Sequence, residues 1–330
     1  MKFLVTSDTH FSSKPRDRYR FGLFPWLIEQ QDKYNVDATF IAGDICEEKD
    51  RHPASLVNDL VNLFSLLKPP VYILKGNHDF IDVDMPFFQF LNHIPGVKFV
   101  VRNHYLTNEK VVLIPHQANQ TDMDLSCEGL SEGWGVILHN TFDGAIAETG
   151  QRMGGLKPPA SLYNARWCVS GDIHRPQQVG PVLYCGAPYQ VRFGDNYEPR
   201  VMLIDDGKEF DWTDLHFPAP RKLHLHVCDA NELVSGNPGD QVKVTLELLK
   251  EEVVDWAKHK EAVLSVCREK QLEVHGLELK VLSQARERIK NKQPTAKSII
   301  DHFEAFCLAE QTPSQVKQVG NQLMEGKNGS

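Results

Sequence analysis

Seven side chains with oxygen or nitrogen donors stand just after short apolar runs, and their types define the chemistry within reach. Asp8-Thr9-His10 follows the run from Lys2 to Thr6, so a carboxylate and an imidazole two residues apart can face one ion. Asp44 follows Gly43 after Thr39 to Ala42, and Asn77-His78-Asp79 follows Gly76 after Val71 to Leu74. His139 closes Val136 to Leu138, and Asp172-Ile173-His174, after Cys168-Val169 and Gly171, repeats the first spacing. Asp8, His10, Asp44, Asn77, His139, Asp172 and His174 offer carboxylate, amide and imidazole donors with no thiolate. That set suits a hard or borderline divalent ion such as manganese better than structural zinc. A pair of ions sharing one bridging carboxylate is the economical arrangement for so many ligands.

Elements must deliver these residues to one place. Buried strands read as short β-branched runs bounded by turn residues, with chemistry commonly sited beyond their C-terminal ends. Five such strand ends are predicted to converge. Leu56, Leu60, Leu63 and Leu67, with Val57 and Phe64, recur at helical spacing before Pro69-Pro70 and read as a crossover helix. The pattern changes after Phe217-Pro218-Ala219-Pro220: alternation at Leu223, Leu225, Val227 and at Val242, Val244, Leu246, Leu248, a helix-like stretch over 251–269, then alternation at Leu277, Leu279, Val281. A small half-buried sheet with a helix is expected there, as a second domain. Ile299, Ile300, Phe303, Phe306 and Cys307 form an apolar stripe, and Thr312-Pro313-Ser314-Gln315 reads as a capped helix start continued by Val316, Val319 and Leu323. These two amphipathic helices either dock on their own domain or hold a partner.

The composition sets outer bounds. With 330 residues, 41% hydrophobic and 24% charged, the chain exceeds one ordinary core and reads as globular, which excludes disorder or a coiled coil as the main architecture. The formal net charge is −8, carried by residues 1–216, so the broad basic surface of a general nucleic-acid binder is missing from the totals. Two bound divalent cations would offset part of that acidity. Seven widely spaced cysteines without a Cys-x-x-Cys pair argue against a disulfide framework and for a reducing cytosol. The first residues turn polar at Ser7-Asp8, too early for a secretory core, and no apolar run approaches a membrane span. A soluble cytoplasmic protein without a membrane partner is expected.

The ordered set Asp-x-His, Gly-Asp, Gly-Asn-His-Asp, a single His and Gly-x-x-His resembles the calcineurin-like metallophosphoesterases. Within them the chain is most similar to the SbcD-type nuclease subunits of double-strand-break repair and phage recombination complexes. Gly171 to Gln177, Tyr184-Cys185-Gly186-Ala187-Pro188-Tyr189-Gln190 and Phe193-Gly194-Asp195 carry the local likeness. The resemblance implies an α/β fold: a two-layer β-sandwich flanked by helices (residues 1–216), a small α+β capping domain that contacts DNA (217–285) and a C-terminal helical segment that binds an SMC-like ATPase (286–330). It implies two Mn²⁺ ions, with Mg²⁺ as a substitute, one held by Asp8, His10, Asp44 and His174 and the other by Asp44, Asn77, His139 and Asp172. His78 would face the scissile phosphate as the catalytic residue. It further implies 3′ to 5′ exonuclease action on duplex DNA, endonuclease action on single strands, an SbcC-type partner, a homodimer, and a nucleoid-associated or, for a phage, host-cytoplasmic location. The family usually has His where this chain has Asp172, so a second site with altered affinity is expected.

Other polar residues receive plainer readings. His224 and His226 share one strand face and are expected in solvent. His93, His104, His116 and His259 have no partner at ligand spacing. Arg16, Arg18 and Arg20, with Tyr19 and Phe21, are either a solvated loop or a DNA-phosphate contact beside the metals. Arg286, Arg288, Lys290 and Lys292 read as an exposed helix face or linker. Two rival functions differ by chemistry. The first is another metallophosphoesterase, a protein phosphatase or a small-molecule phosphodiesterase, though phosphatases of the superfamily typically carry Arg four residues after the second-motif Asp, where this chain has Glu48; the second, a scaffold with a weakened metal centre, rests only on Asp172.

Overall fold

Among the described residues, short β-branched and aromatic runs ended by Gly, Asp or Pro give fifteen strands, and helical periodicity between them gives four α-helices. The computed structural model describes residues 1–82, 85–207 and 210–282. In chain order the elements are β1 (Lys2–Thr6), α1 (Leu23–Tyr34), β2 (Ala38–Ile41), α2 (Ala54–Leu66), β3 (Val71–Leu74), β4 (Val97–Val100), β5 (His104–Leu106), β6 (Val111–Ile114), α3 (Gln120–Cys127) and β7 (Gly135–His139). There follow β8 (Trp167–Gly171), β9 (Gln177–Val179), β10 (Val182–Tyr184), β11 (Val201–Asp206), β12 (Phe210–Leu215), β13 (Lys222–Val227), β14 (Gln241–Leu249), α4 (Trp256–Glu269) and β15 (Glu273–Leu282).

Two six-stranded sheets carry the first two hundred residues, in the orders β12-β11-β1-β2-β3-β4 and β5-β6-β7-β8-β10-β9. Pairing is parallel from β1 to β4 and from β6 through β7 and β8 to β10, while β11 and β12 in the first sheet and β5 and β9 in the second join antiparallel. Parallel pairing puts the C-terminal ends of β1, β2 and β3 on one edge of the first sheet and those of β7 and β8 on one edge of the second.

Period-two alternation explains why the two sheets stack. Phe3, Val5 and Phe40 of the first sheet share one buried cluster with Val111, Leu113, Ile137 and Val169 of the second. Leu4, Ile41, Val71 and Ile73 point the other way, into a cluster with Leu23, Leu27, Leu56, Leu60 and Phe64 of α1 and α2. On the far side Val112, Ile114, Val136 and Leu138 pack with Met123 and Cys127 of α3. Strands covered on both faces must be apolar throughout, and so β2 and β6 read as continuous hydrophobic runs. This is the helix-flanked two-layer sandwich expected from the sequence.

The chain divides into two units. One comprises Met1–Leu225, Ser235–Lys243 and Cys267–Gly276; the other comprises His226–Val234, Val244–Val266 and the described residues from Leu277 onward. Strands β13, β14 and β15 form a three-stranded sheet in that order. Helix α4 begins at Trp256 and is preceded by a 3₁₀ turn at Glu252–Asp255, so the helix expected from residue 251 starts later. His224 and His226 are exposed as expected, and His226 Nδ1 lies 3.1 Å from Glu247 Oε1. Six described cysteines are buried free thiols, and no helix among the described residues is long and apolar enough to cross a membrane. The terminal amphipathic helices, the basic run at 286–292 and the whole of 286–330 lie outside the described residues.

Candidate metal centre

The first ligand motif leaves β1 at Thr6 and is pinned to the second by a continuation of the strand ladder. Asp8 N donates to Gly43 O (3.0 Å), His10 N to Asp44 O (3.1 Å) and Phe11 N to Ile45 O (2.8 Å). Asp8, His10, Asp44 and Asp172 all adopt positive φ, at 52°, 41°, 56° and 80°. They are four of the seven non-glycine described residues to do so, and such backbone conformations persist only where the surroundings enforce them. Glycines make the close approach feasible. A Cβ on Gly76 would lie 2.2 Å from Asp44 Oδ1, and one on Gly43 would lie 2.3 Å from His139 Nδ1.

The side chains then meet. His10 Nε2 is 3.0 Å from His174 Nε2 and 3.8 Å from Asp44 Oδ2, and His174 Nε2 is 4.0 Å from Asp8 Oδ1. The other Asp44 oxygen, Oδ1, is 3.3 Å from His139 Nε2, which is itself 3.7 Å from Asp172 Oδ1. Three groups of donor atoms lie within 4.8 Å of one another: Asp8, His10 and His174; His10, Asp44 and His78; Asp8, Asp44 and His139. Asp44 thus belongs to two clusters and faces each with a different oxygen. Asp172 Oδ2 accepts from Thr141 Oγ1 (2.7 Å), leaving Oδ1 toward His139. His78 is held by its backbone N–H to Asp44 Oδ1 (2.9 Å) and has Nδ1 3.2 Å from Glu47 O.

Two buried oxygens of the expected ligand set, Asp8 Oδ1 and Asn77 Oδ1, have no hydrogen-bond partner among the described residues. A buried acceptor left unpaired costs about 1–3 kcal/mol, and a divalent cation on hard oxygen donors removes that cost. The donor set and its unpaired atoms fit divalent metal. The match to family models agrees: residues 1–176 match the calcineurin-like phosphoesterase domain. The chain belongs to the calcineurin-like phosphoesterase family. Two curated relatives, each the SbcD component of nuclease SbcCD, from Escherichia coli K12 and O157:H7, are each 33% identical over 87 residues. Those alignments cover 24% of this chain and 21% of the relative, so the likeness spans about a fifth of the relatives' length. A solved archaeal phosphodiesterase aligns at 16% identity and a TM-score of 0.37, covering 65% of this chain and 100% of its own.

The electrostatics of this phosphoesterase follow from burial and crowding. Burial pushes the Asp8 carboxyl up to about 6, with the neighbouring imidazoles of His174 and His139 working against it. Burial acts on Asp44 too, but His139 and His10 outweigh it and hold that carboxyl well below the usual range. His139 responds in kind: burial disfavours its charged form, yet Asp44, Asp172 and Asp8 raise it far above an ordinary histidine. Two carboxylates back the imidazoles from behind. Glu148 Oε1 lies 3.0 Å from His174 Nδ1 and Glu47 Oε2 lies 3.5 Å from His10 Nδ1. Contact with His174 draws the Glu148 carboxyl down to about 2. Such outer carboxylates fix which ring nitrogen faces the metal.

Several of these residues escaped sequence reasoning. Glu47 stands three residues after Asp44, outside any strand or helix pattern, and its neighbour Glu48 lies 3.9 Å from Lys14. Glu148 sits in an aperiodic loop and left no signal. Asp79 accepts from Gly76 N (2.7 Å), Asp44 N (2.9 Å) and Ile45 N (2.9 Å), tying two ligand loops together through backbone bonds. Among the described residues, His116 is in no group of candidate metal donors and has Nδ1 3.3 Å from His139 O and 3.3 Å from Asn140 Nδ2. The 3₁₀ segment Pro15–Gly22 sends the three arginines into different surroundings. Arg20 is buried and donates to His10 O and Val191 O, Arg18 pairs with Asp59 in solvent, and Arg16 stands over the Phe193 ring.

Proposed function

We propose that the chain is a divalent-metal-dependent phosphodiesterase acting on DNA, the nuclease subunit of a complex with an SMC-like ATPase. The observation that carries the reading is the shared position of Asp44, one oxygen toward His10 and the other toward His139. One ion would be held by Asp8, His10, Asp44 and His174 and the other by Asp44, Asn77, His139 and Asp172, with manganese preferred. When bound, such a pair supplies Lewis acidity, activates water and neutralises charge on a phosphate ester.

The protein's own groups do the rest. Asp79 holds the Asp44 and Asn77 loops in register through three backbone N–H groups. Glu148 and Glu47 orient the two imidazoles of the first group. His78, with Nδ1 directed at the Glu47 carbonyl, keeps Nε2 for substrate, where an imidazolium can donate to a phosphoryl or leaving-group oxygen. Its nearness to His10 and Asp44 leaves a ligand role as the competing assignment. DNA as substrate, 3′ to 5′ direction, single-strand endonuclease action, an SbcC-type ATPase, a homodimer and a DNA-contacting role for 217–285 belong to this proposal. They are supported by the match to the SbcD relatives over part of the chain and by the motif order. The ATPase contact is assigned to 286–330.

The test uses the purified chain, stripped with chelator and reconstituted with Mn²⁺ or Mg²⁺, on linear duplex and circular single-stranded DNA. Metal-dependent cleavage of both is expected. Rapid turnover of p-nitrophenyl phosphate with intact DNA, with or without an ATPase partner, would overturn the nuclease reading. In the same assay His78→Ala is expected to keep both metals, counted by elemental analysis, and to lose cleavage; loss of an ion would make His78 a ligand.

A further inference from the structure

A cavity of about 260 Å³ lies beside the first ligand cluster, and the metal chemistry leaves it without a role. Its charge is opposite to that of the chain. Six cations, Lys14, Arg16, Arg20, Arg192, Lys222 and Lys243, line it with only two carboxylates, Asp17 and Glu47, in a protein of formal net charge −8. Both carboxylates are already engaged, Asp17 with two of these cations and Glu47 outside the pocket. Asp17 accepts from Lys222 Nζ (2.6 Å) and Ser12 Oγ (2.8 Å) and lies 3.1 Å from Arg20 Nη2, while Glu47 faces His10.

The remaining charge is uncompensated. Arg16, Arg192 and Lys243 make no ion pair among the described residues. Arg16, Lys222 and Lys243 instead gather on the Phe193 ring, at 6.0, 5.7 and 5.7 Å from its centroid. The ring quadrupole attracts each cation by about 0.5–1 kcal/mol at an exposed site, less than is needed to hold several like charges together comfortably. Lys222 registers the crowding. Its ammonium is pushed down to about 8, first by burial and then by the charge of Arg20. An anion entering the pocket would relieve both the unpaired cations and their mutual repulsion.

Position selects the anion. Glu47 lines this cavity and also lies 3.5 Å from His10 Nδ1, and Arg20 donates to the His10 carbonyl, so the cavity adjoins the metal-ligand cluster. Resting on the phosphodiesterase reading above, we propose that this pocket is a subsite for a backbone phosphate next to the scissile one. The preferred substrate would then be a polyphosphodiester chain and not an isolated ester. Three cations from separate parts of the chain suit a diffuse chain phosphate, whose recognition is electrostatic and independent of base.

The test removes the unpaired cations and keeps the Asp17, Arg20 and Lys222 group, in an Arg16→Ala/Lys243→Ala double variant of the full chain. Binding of a fluorescein-labelled oligothymidylate is measured by anisotropy in chelator, across a salt series, so that no turnover is needed. The expected result is a weaker Kd and a slope of log K against log salt reduced by about two, one for each removed phosphate contact. An unchanged slope would overturn the subsite. Displacement of the probe by sub-millimolar inorganic phosphate would also overturn it, since the pocket would then take free phosphate. A turnover arm separates the two levels of the argument. The ratio of KM for oligothymidylate to KM for bis-p-nitrophenyl phosphate is expected to rise in the variant. If wild type cleaves neither substrate, the nuclease reading fails while the binding arm still decides the pocket.

Discussion

Carboxylates occur in this fold in two kinds of surroundings, and the contrast separates what holds the protein together from what does its chemistry. Asp17, Asp79 and Asp240 are buried and saturated. Asp240, for example, accepts from Arg221 N (3.0 Å), Arg221 Nε (2.9 Å), Arg221 Nη2 (2.6 Å) and Asn237 N (2.7 Å). Asp8 is equally buried, yet among the described residues its only side-chain donor is Ser7 Oγ, on Oδ2, and Oδ1 has no hydrogen-bond partner. It also stands near a second acid, Asp44, in a strained backbone conformation. A carboxylate that stabilises a fold is surrounded by donors. One kept short of them, in company with another acid, is reserved for a cation that arrives later.

The largest expected effect follows from that difference. Asp8→Asn removes charge at the site while keeping shape, and activity is expected to fall by on the order of 10³, the scale of losing preorganised electrostatic stabilisation. Its metal-free thermal stability should hold or rise, because a buried charge near another acid is gone. Calorimetry in chelator checks this, and a marked fall in Tm would show that Asp8 is as structural as Asp240.

A smaller effect is expected one layer out. Glu148→Ala should weaken metal affinity by about 10–100-fold, the usual range for a carboxylate behind a ligating histidine. The fold should be kept, since Glu148 lies in a loop with its side chain partly exposed. Metal titration followed by calorimetry decides; an unchanged affinity would remove Glu148 from the site and leave His174 oriented by its backbone alone.

The residues at strand ends were legible because strand period and turn chemistry are local signals. Asp8, Asp44, Asn77, His139 and His174 each follow an apolar run that pairs in parallel, so finding the runs placed the candidate ligands. The same runs read as buried strands, and the structure turns Leu4 toward one cluster and Phe3 and Val5 toward the other. Glu148 and the cations around Phe193 were not legible, because loop conformation and 3₁₀ geometry bring them in from distant sequence. Arg16, Arg18 and Arg20 look alike as a run, yet one is buried, one is in solvent and one caps an aromatic ring. Near the 3₁₀ period of three residues per turn, side chains two apart diverge widely, and burial of Arg20 was decided by the carbonyls of His10 and Val191.

The structural side of the contrast is tested by Asp240→Asn, which puts an amide N–H₂ among donors. Each lost bond to a buried partner is worth about 1–3 kcal/mol, and the variant is expected to lose about that much stability at neutral pH with catalysis unaffected. The pH dependence gives the cause. Burial acts to raise the Asp240 carboxyl, but Arg221 and the N–H groups of Asn237 and Arg221 outweigh it and hold it below its ordinary value. A depressed carboxyl binds fewer protons folded than unfolded, so its contribution is full above the ordinary aspartate pKa of about 3.9 and is lost as pH falls through the folded value. Asp17 is shifted the same way and is present in both proteins, so the difference between wild type and variant isolates Asp240. That difference, from urea unfolding at a series of pH values, is expected to shrink toward zero below about pH 4. A gap constant from pH 7 to pH 3 would mean that Arg221 reads the shape of the side chain at position 240 and not its charge.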